Sequence, residues 1–113
     1  MQLPNCSQAY IQPRKLTGYL LSKTHDVGKA KAKFFFSVGF SDTNPALLER
    51  ELLDLAKTEE VCEVIETANG TKYVIVGSIK TPSNKTVTIL TVWIVDNGED
   101  FPRFVTARPY KCN

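Results

Sequence analysis

The chain has one histidine, one tryptophan and one methionine in 113 residues. A lone imidazole leaves neutral-pH proton transfer with a single ordinary carrier, His25. The cysteines Cys6, Cys62 and Cys112 are odd in number and share no C-x-x-C spacing, so neither a disulfide framework nor a zinc knuckle is indicated. They read as free thiols, although Cys6 and Cys112 stand near the two ends, where an oxidising compartment would permit a bridge. No apolar run approaches the roughly 18 residues of a membrane span. Val74 to Val76 and Val92 to Val95 come nearest, and polar neighbours break both. The opening Met1-Gln2-Leu3-Pro4-Asn5 lacks the basic-then-apolar order of a secretory signal. The expectation is a cytoplasmic protein with no membrane partner, in which the sequons at Asn5, Asn69 and Asn84 are compositional accidents. Glycine-rich phosphate loops, paired-carboxylate motifs, nucleophile elbows and metal-ligand clusters are also absent, so no cofactor or metal is expected.

Hydrophobic residues make up 42% of the chain and charged residues 23%. At this length folding buries roughly two-thirds of the unfolded surface, enough for a core without staples. We expect residues 1–113 to form one domain. The net charge of +2 hides a strong asymmetry. Residues 1–40 carry six Lys/Arg and one Asp, residues 41–68 carry two basic and eight acidic side chains, and residues 69–113 carry six and three. Such a pattern suits an anion-facing surface backed by an acidic helix and strand, or two elements that neutralise each other.

The first half has the four-residue period of helices. Pro13 opens a first helix with Leu16, Tyr19 and Leu20 on one face, running to about Ser22 and weakened by Gly18. Asp26 is placed to cap a second helix, whose apolar positions Ala30, Phe34 and Val38 lead to a stop at Gly39. Asn44 and Pro45 start a third, with the stripe Leu48, Leu52, Leu55 and Ala56. From Glu60 the period is two. Strands are predicted at Val61 to Thr67, Thr71 to Ile79, Val87 to Val95 and Arg103 to Ala107, the first pair joined by an Asn69-Gly70 hairpin. Helices followed by strands predict an α+β fold, with about three helices packed on one face of a four-stranded antiparallel meander. The third strand is apolar on both faces and should be central, with Thr91 and Trp93 on the face away from the helices.

Candidate chemistry gathers near His25. Lys29 and Lys31 follow it at a helix start, where unpaired backbone N–H groups and the small Gly28 suit a phosphate. Phe34-Phe35-Phe36 fits a core better than a base-stacking platform. On the strands, Thr91 and Thr106 offer hydroxyl donors and Arg103 a guanidinium, with Trp93, Arg108 and Tyr110 as further substrate contacts.

Leu16-Thr17-x-Tyr19-Leu20-Leu21, His25-x-x-Gly28-x-x-Lys31-Ala32-x-Phe34-Phe35-x-x-x-Gly39-Phe40, Gly70-Thr71-Lys72-Tyr73-Val74, Thr91-Val92-Trp93-Ile94-Val95 and Pro102-Arg103-Phe104-Val105-Thr106-Ala107 together resemble a small bacterial domain of unknown function common in cyanobacteria, the family numbered 6883. The chain departs from that family's usual Thr-Ala-Tyr-Pro ending, having Arg108 in place of the tyrosine and Tyr110 after Pro109. More distantly, a His and Lys near the second helix and a last strand reading Val-Thr-Ala resemble the barnase, colicin and RelE ribonucleases of bacterial toxins. That likeness implies metal-independent cleavage of RNA, with His25, Lys29, Lys31, Arg103 and Thr106 as catalytic residues and Thr91, Trp93, Arg108 and Tyr110 binding substrate. The rival expectation is a non-catalytic module of immunity or adaptor type whose partner is a protein.

Overall fold

A computed structural model describes residues 1–26 and 28–110. The change of period from four to two is realised as an α+β fold, helices first, then a four-stranded antiparallel sheet in the order β1-β2-β3-β4. The strands are β1 Val61–Glu66, β2 Gly70–Lys80, β3 Thr86–Asp96 and β4 Arg103–Pro109. The Asn69-Gly70 hairpin forms one residue out of the expected register. Thr67 and Gly70 exchange backbone hydrogen bonds of 2.9 and 3.4 Å, so the two-residue loop is Ala68-Asn69. Gly70 instead opens β2 at a point where a Cβ would lie 2.3 Å from the Val95 carbonyl oxygen.

The first helix is shorter and less regular than its apolar spacing suggests. An α-helical turn, α1 (Pro13–Lys15), passes into a π-helical turn over Leu16–Leu20, closed by the Leu21 N–H donating to the Leu16 carbonyl at 2.7 Å. The wider turn lets Leu16, Leu20 and Leu21 all enter the core. Wide turns of this kind are frequent at functional sites.

The second helix, α2 (Gly28–Ser37), is rotated from the expected stripe. Gly28, Ala32 and Phe35 are its buried residues, Phe34 is half-buried and Ala30 is exposed. Phe35, the middle of the three phenylalanines, is the one fully enclosed, in edge contact with Phe34 and Phe40. Gly39 ends the helix as expected, at φ +98, where the Phe40 N–H reaches back to the Phe35 carbonyl at 3.1 Å.

The third helix, α3 (Pro45–Thr58), buries the predicted Leu48, Leu52, Leu55 and Ala56 and packs on β2. Each fully buried leucine contributes roughly 1.5–3 kcal/mol. Asn44 holds the cap position, but its side chain makes no capping hydrogen bond.

Central β3 is apolar on both sides, as expected, with the two sides exchanged. Thr91 and Trp93 are 0% exposed and face the helices, where Trp93 meets Phe104 edge-on at 5.3 Å. Their predicted place on an open face is therefore wrong. The indole needs a polar partner when buried, and Thr91 supplies it: its Oγ1 accepts from Trp93 Nε1 at 3.0 Å and donates to the Ile75 carbonyl at 2.9 Å. Strand β4 does not alternate as its sequence suggests. A bulge sets Phe104 opposite Trp93 and Thr106 opposite Val92, leaving Val105 as the extra residue, so that Phe104 and Ala107 are both buried. The N-terminal segment lies beside this strand through a parallel bridge between Tyr10 and Arg103.

Candidate functional site

The turn at Ser22 to His25 sets the position of the imidazole. Ser22 Oγ accepts the N–H groups of Thr24 (3.3 Å) and His25 (3.1 Å), making a tight turn from a short side chain. His25 then accepts from the first two N–H groups of α2. Its Nδ1 accepts the Gly28 N–H at 2.9 Å, and its carbonyl accepts the Lys29 N–H at 2.9 Å. His25, rather than Asp26, receives the Gly28 donor. An imidazole that accepts at Nδ1 carries its neutral-state proton on Nε2.

Gly28 serves packing and not an anion. A Cβ there would stand 2.2 Å from the Tyr19 carbonyl oxygen, so only glycine lets α2 meet the preceding turn this closely. The Gly28 and Lys29 N–H groups, two of the donors expected to face a phosphate at this helix start, are engaged within the chain, and Gly28 is covered by Tyr19.

The close approach sets the Tyr19 ring edge-on to His25, with centroids 5.1 Å apart. Tyr19 Oη and Thr106 Oγ1 share a hydrogen bond of 3.0 Å, reaching from the π-helical turn to the residue after the Val105 bulge. Bulges beside functional sites commonly re-aim a side chain in this way. Arg14, Lys15, Gly18, Tyr19, His25, Val105 and Thr106 together line an open cleft of about 600 Å³. Lys15 Nζ lies 4.9 Å and Lys31 Nζ 5.7 Å from the Tyr19 ring centroid. The lining has cations and hydroxyls but no carboxylate, an arrangement able to attract an anion and donate hydrogen bonds to it.

Among the described residues, pairing does not neutralise the charge asymmetry of the sequence. Among the described residues the one salt bridge is Arg103 with Asp96, bidentate at 3.1 Å for both contacts, the side chains being 24% and 32% exposed. The hydrogen bond from Arg103 holds the Asp96 carboxyl below its usual range, and the same bond raises the guanidinium. Arg103 is thus committed to Asp96 and does not line the cleft.

Of the residues expected to act together, His25 and Thr106 share the cleft and Lys31 overhangs its tyrosine. Lys29 lies on a second groove, about 300 Å³, with Lys23, Ala32, Lys33 and Phe36. Thr91 and Trp93 are in the core. Arg108 is exposed opposite Leu90, and Tyr110, just past the end of β4, bonds through its backbone to Thr88, so both lie beyond Thr106 along the chain. Sequence reasoning missed Arg14, Lys15 and Tyr19. By spacing Tyr19 falls in an apolar stripe, although its hydroxyl, between Leu16 and Leu20, is the available signal that this face meets a polar partner.

Among the described residues no group of His, Cys, Asp and Glu is arranged to hold a metal ion, and no helix is long and apolar enough to cross a membrane. Cys6 and Cys62 are free thiols, while Cys112 lies outside the described residues.

No curated protein matches the sequence. Among solved structures, the fold is similar to a chain of the contact-dependent growth inhibition toxin–immunity protein complex from Klebsiella pneumoniae 342. The TM-score is 0.72 and the identity 18%, covering 88% of this chain and 98% of that one. The likeness is one of fold. At the level of sequence, the model of one family matches residues 2–111, nearly the full length, and the protein belongs to that family, described as a domain of unknown function, DUF6883.

Proposed function

We propose that the cleft between Tyr19, His25 and Thr106 binds an RNA phosphodiester and promotes its metal-independent cleavage. The 2′-hydroxyl attacks the adjacent phosphorus, the P–O5′ bond breaks, and the products carry a 2′,3′-cyclic phosphate and a 5′-hydroxyl. The 2′-hydroxyl loses one proton and the leaving oxygen gains one, so the reaction needs a proton acceptor, a donor and cations where phosphorane charge grows. The observation that carries this reading is the joining of His25, Tyr19 and Thr106 with Arg14 and Lys15 in one carboxylate-free cleft.

Arg14, Lys15 and Lys31 supply positive charge to the phosphate. His25, whose Nδ1 accepts the Gly28 N–H, brings an imidazole to the cleft wall as a proton carrier. To accept the 2′-hydroxyl proton at Nε2 the ring must first exchange to the tautomer protonated at Nδ1, which releases the Gly28 N–H. Tyr19, hydrogen-bonded to Thr106, is the second proton carrier that a single histidine leaves wanting.

The test is incubation of the purified protein, beside His25→Ala and Tyr19→Phe, with total RNA in chelator at neutral pH. Fragments with cyclic phosphate ends from the parent, reduced about 10²-fold or more in the folded variants, are the expected result. Absence of cleavage across transfer, ribosomal and messenger RNA overturns it.

A second reading, a protein-binding module of immunity or adaptor type, is favoured by the sheet face away from the helices. There Val76, Leu90 and Val92 are only half-buried, around the buried Val74 and Ile94. The structural neighbour's description names both a toxin and an immunity protein. In that case the protein ignores RNA and is recovered with a protein partner.

A further inference from the structure

We infer that the second groove, lined by Lys23, Lys29, Ala32, Lys33 and Phe36, holds the phosphate backbone of single-stranded RNA beside the bond to be cut. This rests on the ribonuclease reading and extends it from one phosphodiester to a strand.

All six Lys and Arg of the first forty residues are gathered at the two depressions. Arg14 and Lys15 line the cleft, Lys31 overhangs its Tyr19, and Lys23, Lys29 and Lys33 line the groove. Helix geometry makes the division. Residues two apart on a helix do not share a face, whereas Lys29 and Lys33, four apart, do. Thus α2 sends Lys31 towards the cleft and its neighbours to the groove. The two sites are joined through the chain: Lys23 and His25 belong to one loop, and the Lys29 N–H bonds the His25 carbonyl.

Lysines reaching into water are ordinarily unremarkable, because a flexible stem leaves the ammonium hydrated. Here three converge on one groove without an acidic residue in its lining. Lys23 Nζ is held 5.2 Å from the Phe36 ring centroid. The chain has eight acidic residues in 41–68, yet among the described residues none pairs with these lysines. A groove that concentrates like charges and leaves them unpaired is complementary to an anion of repeating charge, and its lysines standing on the same loop and helix as His25 and Lys31 point to the strand bound at the cleft. A single strand is specified because sequence-accessible, splayed nucleotides are found in loops and ends and not in the closed A-form helix.

The experiment is fluorescence anisotropy of uncleavable 2′-deoxy oligonucleotides, two to eight nucleotides long, titrated with salt against the full chain and the Lys23→Gln/Lys29→Gln/Lys33→Gln variant. Circular dichroism confirms that both are folded. The parent should bind longer strands more tightly, and the variant should lose that gain together with about 2 from the slope of log affinity against log salt. Lys29→Gln alone should lower the slope by about 0.7. An unchanged slope and length dependence overturn the groove assignment, even if the parent cleaves RNA. A lowered slope without any RNA cleavage by the parent upholds the groove as a strand-binding site and removes the ribonuclease reading. A poly-glutamate peptide bound with the same affinity and slope as the oligonucleotides overturns the choice of nucleic acid as occupant.

Discussion

Replacing Gly28 by alanine tests the packing on which the cleft depends. The added Cβ falls 2.2 Å from the Tyr19 carbonyl oxygen, 2.9 Å from its carbon and 3.0 Å from Tyr19 Cδ1. The first two contacts are backbone, which cannot swing away as a side-chain tip does, so α2 and the π-helical turn must separate by close to 1 Å. Forced separation of packed elements costs about 1–3 kcal/mol. Against this, alanine recovers roughly 0.5–1 kcal/mol of backbone entropy relative to glycine in a helix. The net expectation is a loss of about 1–2 kcal/mol, or a fall of several degrees in Tm for a chain of this size. Gly18→Ala is the control. Its Cβ meets only Arg14 Cβ at 3.8 Å, an ordinary contact, so the same entropy gain should leave that variant neutral or more stable by up to about 1 kcal/mol. Urea unfolding of the three proteins measures the difference. Equal stability of Gly28→Ala and Gly18→Ala refutes the argument that close approach, and not helix propensity, requires glycine at 28.

Tyr19→Phe keeps the ring but loses the 3.0 Å bond to Thr106, and should cost about 0.5–1.5 kcal/mol in urea unfolding. Added to Thr106→Val it should cost less than the two separate effects together, and simple additivity would contradict the contact. Thr91→Val leaves the buried Trp93 N–H without its acceptor, and should cost about 1–3 kcal/mol; a neutral result would show that the indole finds another partner. For the Asp96 and Arg103 pair the dependence on pH is fixed by sign. The folded carboxyl is lowered, so its contribution is complete above the ordinary carboxylate value near pH 4 and is lost as pH falls through the lower folded value. Arg103→Gln should therefore lose about 0.5–1 kcal/mol at pH 7, a figure kept small by partial exposure, with the difference fading below about pH 3–4. A difference that persists at pH 2 would assign the effect to packing.

The α+β order, the meander and α3 with its leucine stripe were readable from the sequence alone, because each rests on local periodicity and turn chemistry. Reading failed where an element departs from a perfect period. The π-helical turn, the Val105 bulge and the rotated α2 each shift side chains by about one position, which exchanges inside for outside on a strand and moves a stripe around a helix. These irregularities lie beside the cleft. The sequence could single out His25 for its chemistry and Thr106 for its place on the last strand, but 81 residues of separation carry no distance information. Which hydroxyl meets Thr106, which lysines share a groove and which arginine is consumed by an aspartate are matters of three-dimensional neighbourhood. Composition and period decided the fold class and the cationic character of the first forty residues. Only tertiary packing, through one bulge and one glycine too close to Tyr19 to be anything else, brought that charge to a cleft with a histidine and two hydroxyls in it.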